Sequence, residues 1–196
     1  MDIIMGKRST FERIERDYYR APYAAVEPLI LHLPEILRYC EPCAGDGALI
    51  NHLNSFGYEC KFACDIEPQD QDIVKCNALN IYQPLFEGRN IDYIITNPPW
   101  SRNILHPMID HFRKLAPTWL LFDADWMFTK QAAPYLPYCQ KIVSVGRVKW
   151  FPDSDNTGKD NAAWYLFLDH EVVTEFVGSG PRLVAQRCPD TEDMFG

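Results

Sequence analysis

The chain has 196 residues, 47% of them hydrophobic, with aromatics spread along its length; that suits one buried core and is unlike a disordered segment. A formal net charge of −8 would on average repel a polyanion, and no apolar run approaches the ~20 residues of a membrane span, so no membrane partner is expected. Seven cysteines without small-scaffold spacing, behind an N-terminus lacking a secretory pattern, point to reduced thiols and a cytoplasmic protein.

No repeat, low-complexity tract or Gly/Ser linker interrupts the sequence, so one domain is expected over 1–196, its core running from about Tyr18 to Phe176 between a loose arm and tail. Short apolar runs predict seven strands: Ile36–Glu41, Glu59–Asp65, Asp72–Cys76, Ile91–Asn97, Thr118–Asp123, Lys141–Phe151 and Ala162–Asp169. Amphipathic segments predict helices at Tyr23–Leu33, Ala48–Phe56, Asn103–Leu115 and Thr129–Tyr138, with Pro28 expected to disturb the first. The alternation implies an α/β fold: a Rossmann-like, doubly wound, seven-stranded and mostly parallel sheet. Only a polar loop joins the last two strands, which predicts an antiparallel C-terminal hairpin at the sheet edge.

In such a sheet a ligand sits beyond the carboxyl ends of the strands, and the chemistry-bearing residues gather there. The first strand runs into Glu41-Pro42-Cys43-Ala44-Gly45-Asp46-Gly47-Ala48-Leu49, where small residues let backbone approach a ligand. The second ends at Asp65-Ile66, with the acid about twenty residues after the loop, a spacing suited to both hydroxyls of a ribose. A tight turn with an acidic cap would look similar, but the fourth strand shifts the balance. It ends in Asn97-Pro98-Pro99-Trp100, which brings an amide, two rigid prolines and an aromatic ring to the same edge.

Those four residue types suit transfer of an alkyl group to an aromatic amine. The amine's lone pair is delocalised into its ring, and hydrogen-bond acceptors at its N–H groups favour the tetrahedral nitrogen of the transition state. The Asn97 carboxamide oxygen and the Pro98 carbonyl are the candidate acceptors; the fixed φ of proline keeps that carbonyl aimed. Trp100 offers a face on which an extruded base can stack.

On these motifs the chain resembles the class I S-adenosylmethionine-dependent amino methyltransferases, and among them the small adenine-N6 DNA methylases of bacteria and phages. The resemblance covers most of the chain. It implies S-adenosylmethionine as cofactor, with Asp17 to Pro22 closing over its methionine end, so that Tyr19, Arg20, Ala21 and Pro22 join Glu41, Pro42, Cys43, Ala44, Gly45 and Gly47 in binding it. Asp65 would hold the ribose, Ile66 flank the adenine ring, and Asn77-Ala78 lie at the adenine amino group, with Asn97 reaching the cofactor as well. Asn97, Pro98, Pro99 and Trp100 would be the catalytic motif. Gly146-Arg147, Lys149, Trp150-Phe151 and Ala163-Trp164-Tyr165 look like the late motif lining the target-base pocket, and Lys159 is counted with Arg147, Lys149, Trp150 and Phe151 as substrate-binding. Three positions depart from the family pattern. Ala21 stands where threonine is usual, Asn77 where an acid is common, and Pro28 lies inside the first helix.

Other residues read more plainly. Cys40, Cys43, Cys60 and Cys64 loosely mimic a zinc pattern but lie in apolar strands or the glycine loop, so no metal is expected. Asp123 and Asp125 read as caps, His106 and His111 as non-ligating, Trp119 and Trp164 as core, and 153–160 as a substrate-side loop rather than a calcium loop.

Charge is unevenly spread. From Glu41 to Asn77 seven acids face two bases, whereas Pro99 to Lys159 holds eight bases and five acids. If nucleic acid binds, it binds that second half, and the resemblance implies DNA ahead of RNA. No separate target-recognition domain is visible, which leaves specificity to loops or to a partner protein. The competing readings are methylation of RNA adenine, methylation of a protein glutamine amide, and a catalytically silent cofactor-binding protein.

Overall fold

In a computed structural model, residues 19–150 and 158–178 are described. Phe151, the loop 152–157 and the arm through Tyr18 lie outside the described residues. The elements in chain order are α1 (Tyr23–Ile30), β1 (Arg38–Glu41), α2 (Ala48–Ser55), β2 (Glu59–Asp65), β3 (Val74–Lys75), α3 (Gln83–Arg89), β4 (Tyr93–Thr96), α4 (Arg102–Phe112), β5 (Thr118–Asp123), β6 (Cys139–Gly146), β7 (Ala162–Phe167) and β8 (Glu175–Val177).

The strands form one sheet in the order β3-β2-β1-β4-β5-β7-β6-β8. β1 to β5 run parallel to one another, whereas β7 is inserted antiparallel between β5 and β6. The sheet is mixed α/β and mostly parallel, with an antiparallel C-terminal pair, as the sequence predicts. It has eight strands rather than seven, because β8 adds to β6 in parallel and takes the edge expected for the hairpin. A three-residue strand with exposed Phe176 offers no alternating pattern to read.

Side-chain alternation gives the sheet two apolar faces. Trp119, Leu121 and Trp164 pack with Ala25, Val26 and Leu29 of α1 and with Leu49 and Leu53 of α2. Leu120, Phe122 and Tyr165 pack on the other side with Phe86 of α3 and with Leu105, Met108, Ile109 and Phe112 of α4. Trp119 and Trp164 are thus core residues, and the Trp164 indole N–H donates to the Ala25 carbonyl at 2.7 Å, tying α1 to β7. Pro28 lies inside α1 without ending it.

The helix expected at Thr129–Tyr138 does not form. The segment folds as turns and a 3-10 turn at Leu136–Tyr138, because Pro134 and Pro137 each remove a backbone donor and crowd the preceding turn. Conversely α3 escapes the sequence reading: Pro84 and Gly88 look like loop punctuation, and Phe86 alone is buried.

Candidate active site

The carboxyl ends of β1, β2 and β4 meet at one edge. After β1 the chain turns through Gly45 (φ 55°) and Gly47 (φ 76°), left-handed conformations that glycine adopts without steric cost. Gly45 N–H donates to Asp65 Oδ2 at 2.9 Å, and Glu67 N–H donates to Asp65 Oδ1 at 2.8 Å. Each carboxylate oxygen keeps a second lone pair, so Asp65 can brace the glycine turn and still accept from hydroxyls. Gln69 N–H donates to the Gly45 carbonyl at 2.8 Å, which ties the loop after β2 to the same turn.

Glu41 lies under this turn, 1% exposed, and its Oε2 has no hydrogen-bond partner among the described residues. Burial, then the nearby Asp65 and Asp46 carboxylates, push its carboxyl well above the usual range. A buried acid left in this state is a ready partner for a cationic group. Burial also raises the Cys43 thiol, which makes it a packing group rather than a nucleophile. Ile66 is exposed beside Asp65. Cys76 N–H donates to the Asp65 carbonyl at 2.8 Å and so brings Asn77 and buried Ala78 alongside. The Asn77 carboxamide oxygen accepts from Leu79 N–H at 3.0 Å, capping a short 3-10 turn.

On the opposite side, Tyr19 to Pro22 lead into α1. Arg20 does not stand alone there: its Nε meets Asp46 Oδ2 of the glycine turn at 2.5 Å, joining the two segments. Ala21 is buried and Pro22 precedes the helix in extended conformation.

At the end of β4, Asn97 Nδ2 donates to the Tyr19 carbonyl at 2.8 Å, and the Trp100 indole N–H donates to Asn97 Oδ1 at 3.3 Å. Pro98 is buried, with Pro99 half-buried beyond it. Trp100 and Trp150 meet edge to face, centroids 5.5 Å apart at 84°, and Tyr19 meets Trp150 at 6.2 Å and 64°. Three chain segments distant in sequence therefore build one aromatic wall beside Asn97.

Arg147 and Lys149 are exposed on either side of Val148, which is buried in the α1–α2 face. Gly158 N–H donates to the Val148 carbonyl at 2.8 Å, so exposed Lys159 returns beside them. Phe151 lies outside the described residues.

Several contacts carry no sequence signal because they join residues far apart in the chain. Arg102 donates to Asp123 Oδ2 at 2.8 Å, while Asp123 Oδ1 accepts from Asp125 N–H at 3.0 Å, so Asp123 is both cap and ion-pair partner. His106 Nε2 accepts from the Trp126 indole N–H at 3.0 Å, and His111 Nε2 pairs with the Ile81 carbonyl at 2.9 Å.

No family model matches the chain, and no curated protein matches it. Solved structures do. One is a type I restriction–modification methyltransferase subunit from Streptococcus thermophilus, 10% identical, with a TM-score of 0.55 over 82% of this chain and 47% of that one. Another is a type I restriction–modification assembly, 14% identical, with a TM-score of 0.53 over 87% of this chain and 46% of that one. The chain spans about half the length of these neighbours. No helix among the described residues is long and apolar enough to cross a membrane. The likeness together with the strand order gives the chain a Rossmann-like fold shared with that methyltransferase subunit.

Proposed function

We propose that the chain is an S-adenosylmethionine-dependent methyltransferase acting on the N6 amino group of adenine in DNA. The observation that carries this reading is the convergence of Asn97-Pro98-Pro99-Trp100 with the glycine turn and Asp65 at one sheet edge. The residues fit the cofactor. Glu41, with its unpartnered oxygen, suits the ammonium of the methionine end, Asp65 keeps lone pairs for the ribose, and exposed Ile66 with Asn77 and Ala78 suits the adenine. Tyr19 to Pro22, the turn from Pro42 to Gly47, and Asn97 would complete the enclosure.

When bound, the cofactor supplies an electrophilic methyl group on a sulfonium centre. The chain's task is to hold the amine. Asn97 Oδ1 and the Pro98 carbonyl accept its two N–H bonds and favour the pyramidal nitrogen of the transition state, while Trp100 and Trp150 confine the base. A general base is unnecessary, since the product ammonium proton can pass to water. The aromatic wall favours a nucleobase ring over a glutamine amide, whose planar face is much smaller to stack. We rank DNA ahead of RNA because the two neighbours named above come from restriction–modification systems. Arg147, Lys149 and Lys159 would meet phosphates, so binding should weaken as salt rises.

The test is incubation with methyl-labelled cofactor and DNA, RNA or protein, followed by digestion to nucleosides and amino acids. Label in N6-methyladenosine from RNA, or in methylglutamine, would move the corresponding alternative ahead. Cofactor binding with no label transferred to any of the three would favour a silent binding protein.

A further inference from the structure

The Asn97 carboxamide has one end that donates and one that accepts, and its neighbours fix which is which. The Tyr19 carbonyl can only accept and the Trp100 indole N–H can only donate, so Nδ2 faces Tyr19 at 2.8 Å and Oδ1 faces Trp100 at 3.3 Å. Without such partners the terminal torsion of an asparagine is broad, and its oxygen would sample many directions. Here both ends are held, and the two holders are themselves linked: the Tyr19 and Trp100 rings both pack against Trp150.

The indole N–H lies in the ring plane, so donating it leaves the ring's faces for packing. A carbonyl oxygen has two lone pairs, so Asn97 Oδ1 can receive Trp100 and still accept a second N–H. We propose that Trp100 is a positioning residue acting through its indole N–H, which fixes the Asn97 oxygen so that its remaining lone pair points at the target amino group. This role is distinct from stacking and rests on the methyltransferase reading above. It gives a chemical reason for tryptophan at this position: phenylalanine supplies a face but no donor. The gain is preorganisation, since the acceptor need not be ordered as the methyl group moves.

The test pairs a kinetic and a spectroscopic measurement on the full chain. In Trp100→Phe, kcat for methylating a single-stranded adenine oligonucleotide should fall about tenfold or more, while KM changes no more than about threefold, the signature of an interaction used in the transition state. In parallel, the Trp100 indole resonance of 15N-labelled protein, assigned by its loss in Trp100→Phe, should exchange its proton at least about tenfold faster in Asn97→Ala than in wild type. Should Trp100→Phe fail to fold, the exchange comparison decides alone, with the resonance assigned from the wild-type spectrum. Equal exchange in wild type and Asn97→Ala would overturn the clamp. Slowed exchange in wild type combined with wild-type kcat in Trp100→Phe would overturn its role. A wild-type chain that methylates nothing removes the catalytic reading and this role with it, a failure that the exchange result distinguishes from absence of the hydrogen bond.

Discussion

Glu41 carries a liability that a ligand would relieve. Its carboxyl is raised by burial and by two nearby acids, so at pH values between the unfolded and the raised folded value the ligand-free fold holds a proton that the unfolded chain has released. An acid raised in this way favours the folded state fully only below its unfolded value. Stability is therefore lost as pH rises from the ordinary carboxylate range toward the raised one, by at most about 1.4 kcal/mol per pH unit. Glu41→Gln removes that proton uptake. Thermal melts of the ligand-free protein should show Glu41→Gln more stable than wild type at pH 7, the gap closing toward pH 4, while calorimetry shows S-adenosylhomocysteine binding weakened about tenfold or more through loss of a charge-assisted contact. A variant less stable than wild type at pH 7 would contradict this account of the residue.

At the scale of elements, the site depends on the return of the chain after β6. A Cβ built at Gly158 would lie 2.9 Å from Trp150 Cδ1 and 3.1 Å from the Val148 carbonyl, to which the Gly158 N–H is bonded, so neither side can retreat without breaking the junction. Gly158→Ala should displace Trp150 at a cost of about 1–3 kcal/mol and lower methyl transfer more than cofactor affinity. Unchanged turnover would dissociate Trp150 from the pocket. This junction was invisible in sequence because Gly158 sits in a polar stretch and its reason for being glycine is a neighbour's ring, not its own backbone. β2 and β5, by contrast, were legible to the residue, since Glu59–Asp65 and Thr118–Asp123 are apolar runs bounded by breakers. The amphipathic pattern at Thr129–Tyr138 does not become a helix because Pro134 and Pro137 outweigh it. The glycine turn, Asp65 and Asn97 to Trp100 could be placed at one edge from strand order alone. The Asn97 bonds to Tyr19 and Trp100 could not, because they depend on side-chain direction.

Across the whole molecule, sheet order does the gathering. β1 lies between β2 and β4, so the glycine turn, Asp65 and Asn97 emerge side by side, while the β6–β7 connection brings Arg147, Lys149 and Lys159 to the same wall as Trp150. Acidic residues cluster from Glu41 to Asn77 and basic ones prevail from Pro99 to Lys159, a division that under the proposed function would serve the cofactor and a polyanion respectively despite the net charge of −8. The claim at the centre of this arrangement is that the Asn97 oxygen accepts an amino N–H in the transition state. Single-turnover methylation of an adenine-containing DNA oligonucleotide by Asn97→Ala, run beside an S-adenosylhomocysteine titration, tests it most directly. The account predicts cofactor affinity within about threefold of wild type and a rate lower by roughly two to three orders of magnitude, the scale seen when a transition-state hydrogen-bond partner is removed. Asn97→Ala methylating adenine at the wild-type rate would contradict it.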